Sequence, residues 1–249
     1  MTSQLPNTSN IQICMLNCNS INTKLGEIKD FLVDKKPDIF CFTETWLTSY
    51  IPKFHNYSSH WKNRNQGTGG GLGILVAAGL SHRSYPLILY DDGHLEVQAV
   101  TVDTGRSSLV ILNVYNPNKN LTIAEIEFYV NQLGNKYLIM GDFNAHTPIL
   151  TSTDTASNQT GKTLEHLLTN YNICLNNPFN FYTYLDRRSG RQSCLDLCLS
   201  SPNLSTSISM KHQRDLGSDH KTIQILLNTC CTKVEAKKIP KWKITDTTA

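Results

Sequence analysis

The chain has 249 residues, of which 39% are hydrophobic and 17% charged, and a formal net charge of +3. This is ordinary globular composition at the upper length for one α/β domain, which excludes a largely disordered or low-complexity chain. The positive charge lies in the tail 229–249, where five lysines face Glu235 and Asp246; the rest of the chain is balanced and offers no broad basic surface for a polyanion.

Residues 1–10 read as a polar leader, with no charged and apolar regions of a signal peptide. Alternation at 11–18 predicts a strand. Leu25, Ile28, Phe31 and Leu32 recur at helical spacing within 24–33, with Pro37 marking the exit. A short buried strand follows at 38–43, and the glycine run 69–73 leads into another at 74–77. Segments 95–102 and 109–114 read as a hairpin across Thr104-Gly105. Residues 122–133 suit a helix with Ile123, Ile126, Val130 and Leu133 inward, before a strand at 137–140. A polar loop spans 145–160 and a helix 162–168, then short strands are expected near 181–185, 194–199, 206–211 and 222–227. Strands outnumber helices, which favours two packed sheets flanked by helices over a doubly wound parallel sheet. The expected organisation is a leader 1–10, one domain 11–228 and a basic linker 229–249.

The longest apolar run, 71–80, is about half a membrane span, so no membrane partner is expected. Eight cysteines (14, 18, 41, 174, 194, 198, 230 and 231) include no C-x2-C pair, and they read as reduced thiols of a cytosolic or nuclear protein. Gly161-Lys162-Thr163 lacks the first glycine of a phosphate loop, Ala156 standing there, and no strand precedes it.

Polar and acidic residues gather where strands end: Asn17 and Asn19, Glu44, Asn113 and Tyr115, Asp142 and Asn144, Asp196, and Ser218-Asp219-His220. With the strands side by side, these ends share one rim. The residue types fit phosphodiester cleavage. Glu44 is an oxygen ligand for a hard cation such as Mg2+. Asp142 and His220 supply a base and a charge partner, and Asp196 is placed to hold the His220 imidazole in one tautomer. Arg187, Arg188 and Arg191 surround Ser189-Gly190 between two strands, as a solvated hairpin tip or as a basic hairpin entering a DNA groove. His146 lies close enough to be a DNA contact. Trp46 and Trp61 read as core or rim packing rather than base-stacking residues.

Leu16-Asn17, Thr43-Glu44-Thr45-Trp46, Asn113-Val-Tyr115, Gly141-Asp-Phe-Asn144, Ser193-x-x-Asp196 and Ser218-Asp-His220 fall in the order of the endonuclease/exonuclease/phosphatase superfamily. Within it the chain most resembles the apurinic-like endonuclease domain of non-LTR (LINE-type) retrotransposons, from about residue 11 to 227. Glu44-Thr-Trp-Leu47, the glycine run 69–73, Gly141-Asp-Phe-Asn-Ala-His146 and Tyr182-Thr183 share in the likeness. The resemblance implies a DNase I-like two-sheet α/β sandwich and an Mg2+-dependent endonuclease, with Mn2+ as a substitute. Such an enzyme nicks one strand of double-stranded DNA to leave a 3′-OH that primes reverse transcription.

By the same resemblance, Glu44 and Asn17 hold the metal, with Asp219 a further metal-side carboxylate. Tyr115, Asn144 and Thr183 contact phosphate, Ser193 lies with them on the DNA side, Asp142 orients or deprotonates the water, and Asp196 pairs with His220. The basic hairpin influences target choice. Cys194 and Leu195 depart from the pattern, since many relatives place a basic residue in that gap. The resemblance further implies a reverse transcriptase domain in the same full-length polypeptide, action in the nucleus after cytoplasmic synthesis, and a monomeric isolated domain. The alternatives are an abasic-site repair endonuclease and a DNA-binding module whose catalysis has lapsed.

Overall fold

In a computed structural model, which describes residues 9–64, 68–91, 93–105 and 107–231, the apolar segments become strands and helices in a mixed order. β1 (Ser9–Asn17) leads through a 3-10 turn (Ile21–Lys24) to α1 (Leu25–Lys35) and β2 (Ile39–Thr43). Next come β3 (Tyr57–Lys62), β4 (Leu72–Ala77), β5 (His82–Ser84), β6 (Glu96–Asp103) and β7 (Ser108–Tyr115). α2 (Ile123–Val130), β8 (Tyr137–Asp142) and α3 (Gln159–Asn170) follow. β9 (Cys174–Leu175), β10 (Tyr184–Leu185), β11 (Gln192–Ser193) and β12 (Asp196–Ser200) precede α4 (Pro202–Ser205), β13 (Ile208–His212) and β14 (Ile223–Cys231).

Two six-stranded sheets form, in the orders β13-β14-β1-β2-β4-β3 and β5-β6-β7-β8-β12-β9, with β10 and β11 as a separate hairpin. Each sheet is centred on one parallel pair, and this places the site. β1 and β2 end together at Asn17↔Thr43, and β7 and β8 end together at Tyr115↔Asp142. Antiparallel β12 begins at that same edge, with Asp196 opposite Asp142. β14 enters opposite Met15, so the segment before it passes the end of β1. Polar residues at four strand ends and two strand starts therefore share one edge of the sandwich.

The sheets pack face to face through Ile13, Met15, Ile74, Ile111, Met140 and Ile225, all nearly inaccessible to solvent. α1 covers the outer face of the first sheet through Ile28 and Phe31 against Phe40 and Phe42. α2 and α3 cover the second through Ile126, Tyr129, Leu164 and Leu167. Each such side chain contributes about 1.5–3 kcal/mol on burial. The buried Asn113 Nδ2 crosses between the sheets to the carbonyls of Phe42 (2.8 Å) and Gly73 (3.3 Å). The result is the two-sheet α/β sandwich that the strand-rich pattern favours.

Some local expectations differ. α2 turns Glu125, Ile126 and Tyr129 inward with Val130 packed beside them, whereas Ile123 is not part of that cluster. The reason is polar: Glu125 Oε1 accepts the backbone N–H groups of His94 (2.7 Å) and Leu95 (2.8 Å). β3 and β5 are not foreseen, because both are edge strands with mostly polar, partly exposed residues. α3 begins before residue 162 because the side chain of Asn158 accepts the Gly161 N–H at 2.7 Å. A Cβ on Gly161 would lie 2.0 Å from the His146 carbonyl oxygen, so this glycine serves close packing. β14 continues to Cys231, past residue 228. Residues 1–8 of the leader and 232–249 of the basic tail lie outside the described residues. Among the described residues no helix is long and apolar enough to cross a membrane.

Candidate active site

The close approach of β8 to β7 sets how Asp142 is presented. Gly141 adopts φ +138°, and a Cβ there would lie 2.0 Å from the Val114 carbonyl oxygen. Only glycine fits. The buried Asp142 accepts the Asn144 N–H at Oδ1 (2.9 Å) and Asn17 Nδ2 at Oδ2 (2.9 Å). His220 Nε2 stands 3.9 Å from that same Oδ2, while its Nδ1 is 2.7 Å from Asp196 Oδ2. One imidazole thus lies between two buried carboxylates.

The surroundings fix this group from the backbone outward. Thr183 Oγ1 accepts the N–H groups of Leu195 and Asp196, each at 3.0 Å, and so holds the start of β12. Ser218 Oγ donates to the Asn17 carbonyl (2.7 Å) and accepts the His220 N–H (3.2 Å). The Tyr184 ring lies 4.8 Å from the imidazole. Burial pushes the Asp142 carboxyl well above the ordinary carboxylate range; the nearby His220 charge opposes this and Asp196 adds to it. Burial alone would lower the His220 value. The charge and hydrogen bond of Asp196, then Asp142 and Asp219, outweigh it and raise the imidazole above its ordinary value.

Glu44 forms the other half of the edge. Its Oε1 accepts Asn17 Nδ2 (2.9 Å), and its Oε2 accepts Trp46 Nε1 (3.2 Å). Asn17 therefore bridges Glu44 and Asp142 with one amide group. The Tyr115 hydroxyl lies beside Glu44; burial first, then the Glu44 charge, raises its pKa. Asn19, Glu44, Trp46 and Asn144 have φ of 41°, 51°, 53° and 50°. Left-handed backbone at four non-glycine residues concentrates strain at the strand ends. Asn144 Nδ2 donates to the Asn116 carbonyl (2.8 Å). The sequence reading passes over Asn116, although it directly follows a strand end. Trp46, 44% exposed, stands at the rim beside Glu44.

The remaining candidates occupy the flank. Asp219 Oδ1 accepts Asn19 Nδ2 (3.4 Å) and lies 3.2 Å from Ser218 Oγ. It lines a cleft of about 290 Å3 with Asn19, Lys24, Tyr184, Arg187 and Arg188. Ser193 is buried opposite Tyr184 in the hairpin. Arg187 donates to the Ser218 carbonyl (3.2 Å), which ties the hairpin to the site. Arg191 is engaged elsewhere, at 2.7 Å from the buried Asp154, which also takes His146 Nδ1 at 3.1 Å. Asp154 lies in the polar loop and carried no signal in the sequence.

The donor set suits a divalent cation. Asp142, Asp196 and His220 offer ligand atoms within 4.8 Å of one another. His220 Nδ1 and Asp196 are committed to each other, however, which leaves Nε2 and Asp142 there. The Glu44–Asn17 edge is richer in oxygen: two carboxylate oxygens at the rim, and an Asn17 Oδ1 that accepts the Asn19 N–H (3.1 Å). Hard cations take such ligands.

Residues 109–224 match the family described as Endonuclease-reverse transcriptase. Over 231 residues the chain is 26% identical to a probable RNA-directed DNA polymerase from transposon BS of Drosophila melanogaster, covering 90% of this chain and 25% of that protein. The chain therefore spans about a quarter of the length of this curated relative. The structure superposes on the endonuclease domain of TRAS1, a telomere-specific non-LTR retrotransposon, with TM-score 0.74 and 17% identity over 89% of this chain and 99% of that one. A 3′-5′ exonuclease from Neisseria meningitidis gives TM-score 0.68 at 20% identity, over 87% and 99%. At these identities the solved structures speak to the fold, a DNase I-like sandwich. The chain is thus similar, through residues 109–224, to the endonuclease-reverse transcriptase family and, over most of its length, to Drosophila transposon RNA-directed DNA polymerases.

Proposed function

We propose that this chain is an Mg2+-dependent endonuclease domain that nicks one strand of duplex DNA. The 3′-OH it leaves primes a reverse transcriptase carried on the same full-length polypeptide. The observation that carries this reading is the buried Asp142–His220–Asp196 group, joined through Asn17 to Glu44 at the shared edge of the two sheets.

Mg2+, held by Glu44 with Asn17 and Asp219 beside it, would neutralise charge on the phosphate. Asp142, fixed by the Asn144 N–H and Asn17 Nδ2, orients and deprotonates the attacking water. A carboxyl pushed up by burial suits that task, because a general base works best with its pKa near the working pH. Asp196 holds the imidazolium of His220 with Nε2 toward the reacting phosphate, where it stabilises the charge that develops. Tyr115 and Asn144 position the phosphate. The buried Thr183, its oxygen taken up by two backbone amides, supports the phosphate side of the site by holding the start of β12 in place. Target DNA lies in the nucleus, where this domain would act after synthesis in the cytoplasm.

The reading is tested on a defined duplex. A product extended by a DNA polymerase without end repair, and cutting of intact duplex comparable with that of a duplex bearing one abasic site, are expected. Cutting confined to the abasic duplex would replace this function with the repair reading. Product ends blocked to extension would remove the priming role.

A further inference from the structure

We propose that Glu96 and Arg64 are positioning residues for the metal-side edge, clamping the Glu44 loop of one sheet to the Tyr115 strand of the other. The inference rests on the proposed endonuclease function and names residues outside the ordered family motifs. Glu96 lies on β6 directly opposite Tyr115 in the β6–β7 register. Its side chain reaches across to the first sheet, where Oε2 accepts the Gly71 N–H at 2.6 Å, and Oε1 is paired with the Arg64 guanidinium. Both partners are largely shielded, with side-chain exposures of 24% for Arg64 and 18% for Glu96.

From Gly71 the path continues into the Glu44 loop by backbone hydrogen bonds. The Gly71 carbonyl accepts the Thr45 N–H (3.1 Å), and the Gly70 carbonyl accepts the Trp46 N–H (2.9 Å). Gly69, Gly70 and Gly71 all have positive φ, and a Cβ on Gly71 would lie 2.6 Å from Thr45 Oγ1. The glycine run is a template pressed against the loop that holds Glu44 at φ 51°. Arg64 supplies a second path. Its guanidinium lies 5.7 Å from the centroid of the Tyr115 ring, and the Tyr115 hydroxyl lies beside Glu44. Glu96 and Arg64 thus touch both supports of Glu44 without reaching its carboxylate.

Groups that orient a metal ligand from behind typically alter metal affinity or activity by about 10–100-fold when removed. The test uses the Trp46 indole, whose Nε1–H donates to Glu44 Oε2. Indole N–H resonances of the metal-free wild type, Glu96→Gln, Glu96→Ala and Arg64→Gln chains are compared, with Trp46→Phe assigning the signal. Glu96→Gln is isosteric and preserves the fold, which the Trp61 resonance reports. The clamp predicts a displaced, faster-exchanging Trp46 indole in the metal-free variants, with Trp61 unchanged. It also predicts that Mg2+ titration of that signal weakens by about tenfold in Glu96→Gln. A wild-type Trp46 indole in metal-free Glu96→Ala and Arg64→Gln would overturn the clamp. Absence of any Mg2+ response in the wild type, with the metal-free displacement intact, would count against the metal reading and leave the clamp supported.

Discussion

Replacing Asp196 by asparagine separates the chemistry of the site from its folding. The substitution keeps the shape of the side chain and its place on β12, but it removes the charge that meets His220 Nδ1 at 2.7 Å. A hydrogen bond to a charged group contributes about 1.5–3 kcal/mol, and each 1.36 kcal/mol is tenfold in rate. The nicking rate at its optimum should therefore fall by about 10–100-fold if the bond is made fully in the transition state. The pH profile carries a sharper signature. Asp196 raises His220, so without it the imidazolium is lost at lower pH and the alkaline limb moves down. Asp196 also raises Asp142, so the acid limb moves down as well. Single-turnover nicking measured across pH should show a lower bell displaced toward acid on both limbs, with urea melts close to wild type. A profile reduced in height with both limbs in place would refute the reasoning.

Three further outcomes follow from the geometry. Gly141→Ala places a Cβ against the Val114 carbonyl and forces φ +138° on alanine; urea unfolding should show a loss of at least about 1–3 kcal/mol from strain alone. Arg187→Ala and Arg188→Ala should preserve cutting while altering the cleavage ladder on a long duplex, since both line the cleft beside Asp219. Arg191→Ala should instead lower stability by about 0.5–1 kcal/mol, because Arg191 is half exposed and its partner Asp154 is buried.

How much of this was legible depends on what each residue meets. The central strands could be read because both faces are covered, and their apolar runs stop abruptly at Asn17, Glu44, Tyr115 and Asp142. The meeting of those ends follows from the two parallel pairs, and the order of the motifs carried it. Edge strands such as Tyr57–Lys62 left no comparable pattern, since half their surface faces water. Glu125 looked like a solvent-facing helix residue until the His94–Leu95 backbone appeared as its partner. Glu96, Arg64 and Asp154 act through partners 25 or more residues away, or from irregular loops. Neither spacing nor periodicity records such contacts. Trp46 stands at the rim rather than in the core, because the positive φ at 44 and 46 turns it outward.

The most direct test of the central claim is conversion of supercoiled plasmid to open circles by the wild-type chain and by His220→Ala, each with Mg2+ and with EDTA. The account predicts nicking that requires Mg2+ and falls by about 10^2–10^4-fold in the variant, the usual contribution of one acid–base or charge-stabilising group. Equal nicking by His220→Ala, or nicking undiminished in EDTA, would contradict it.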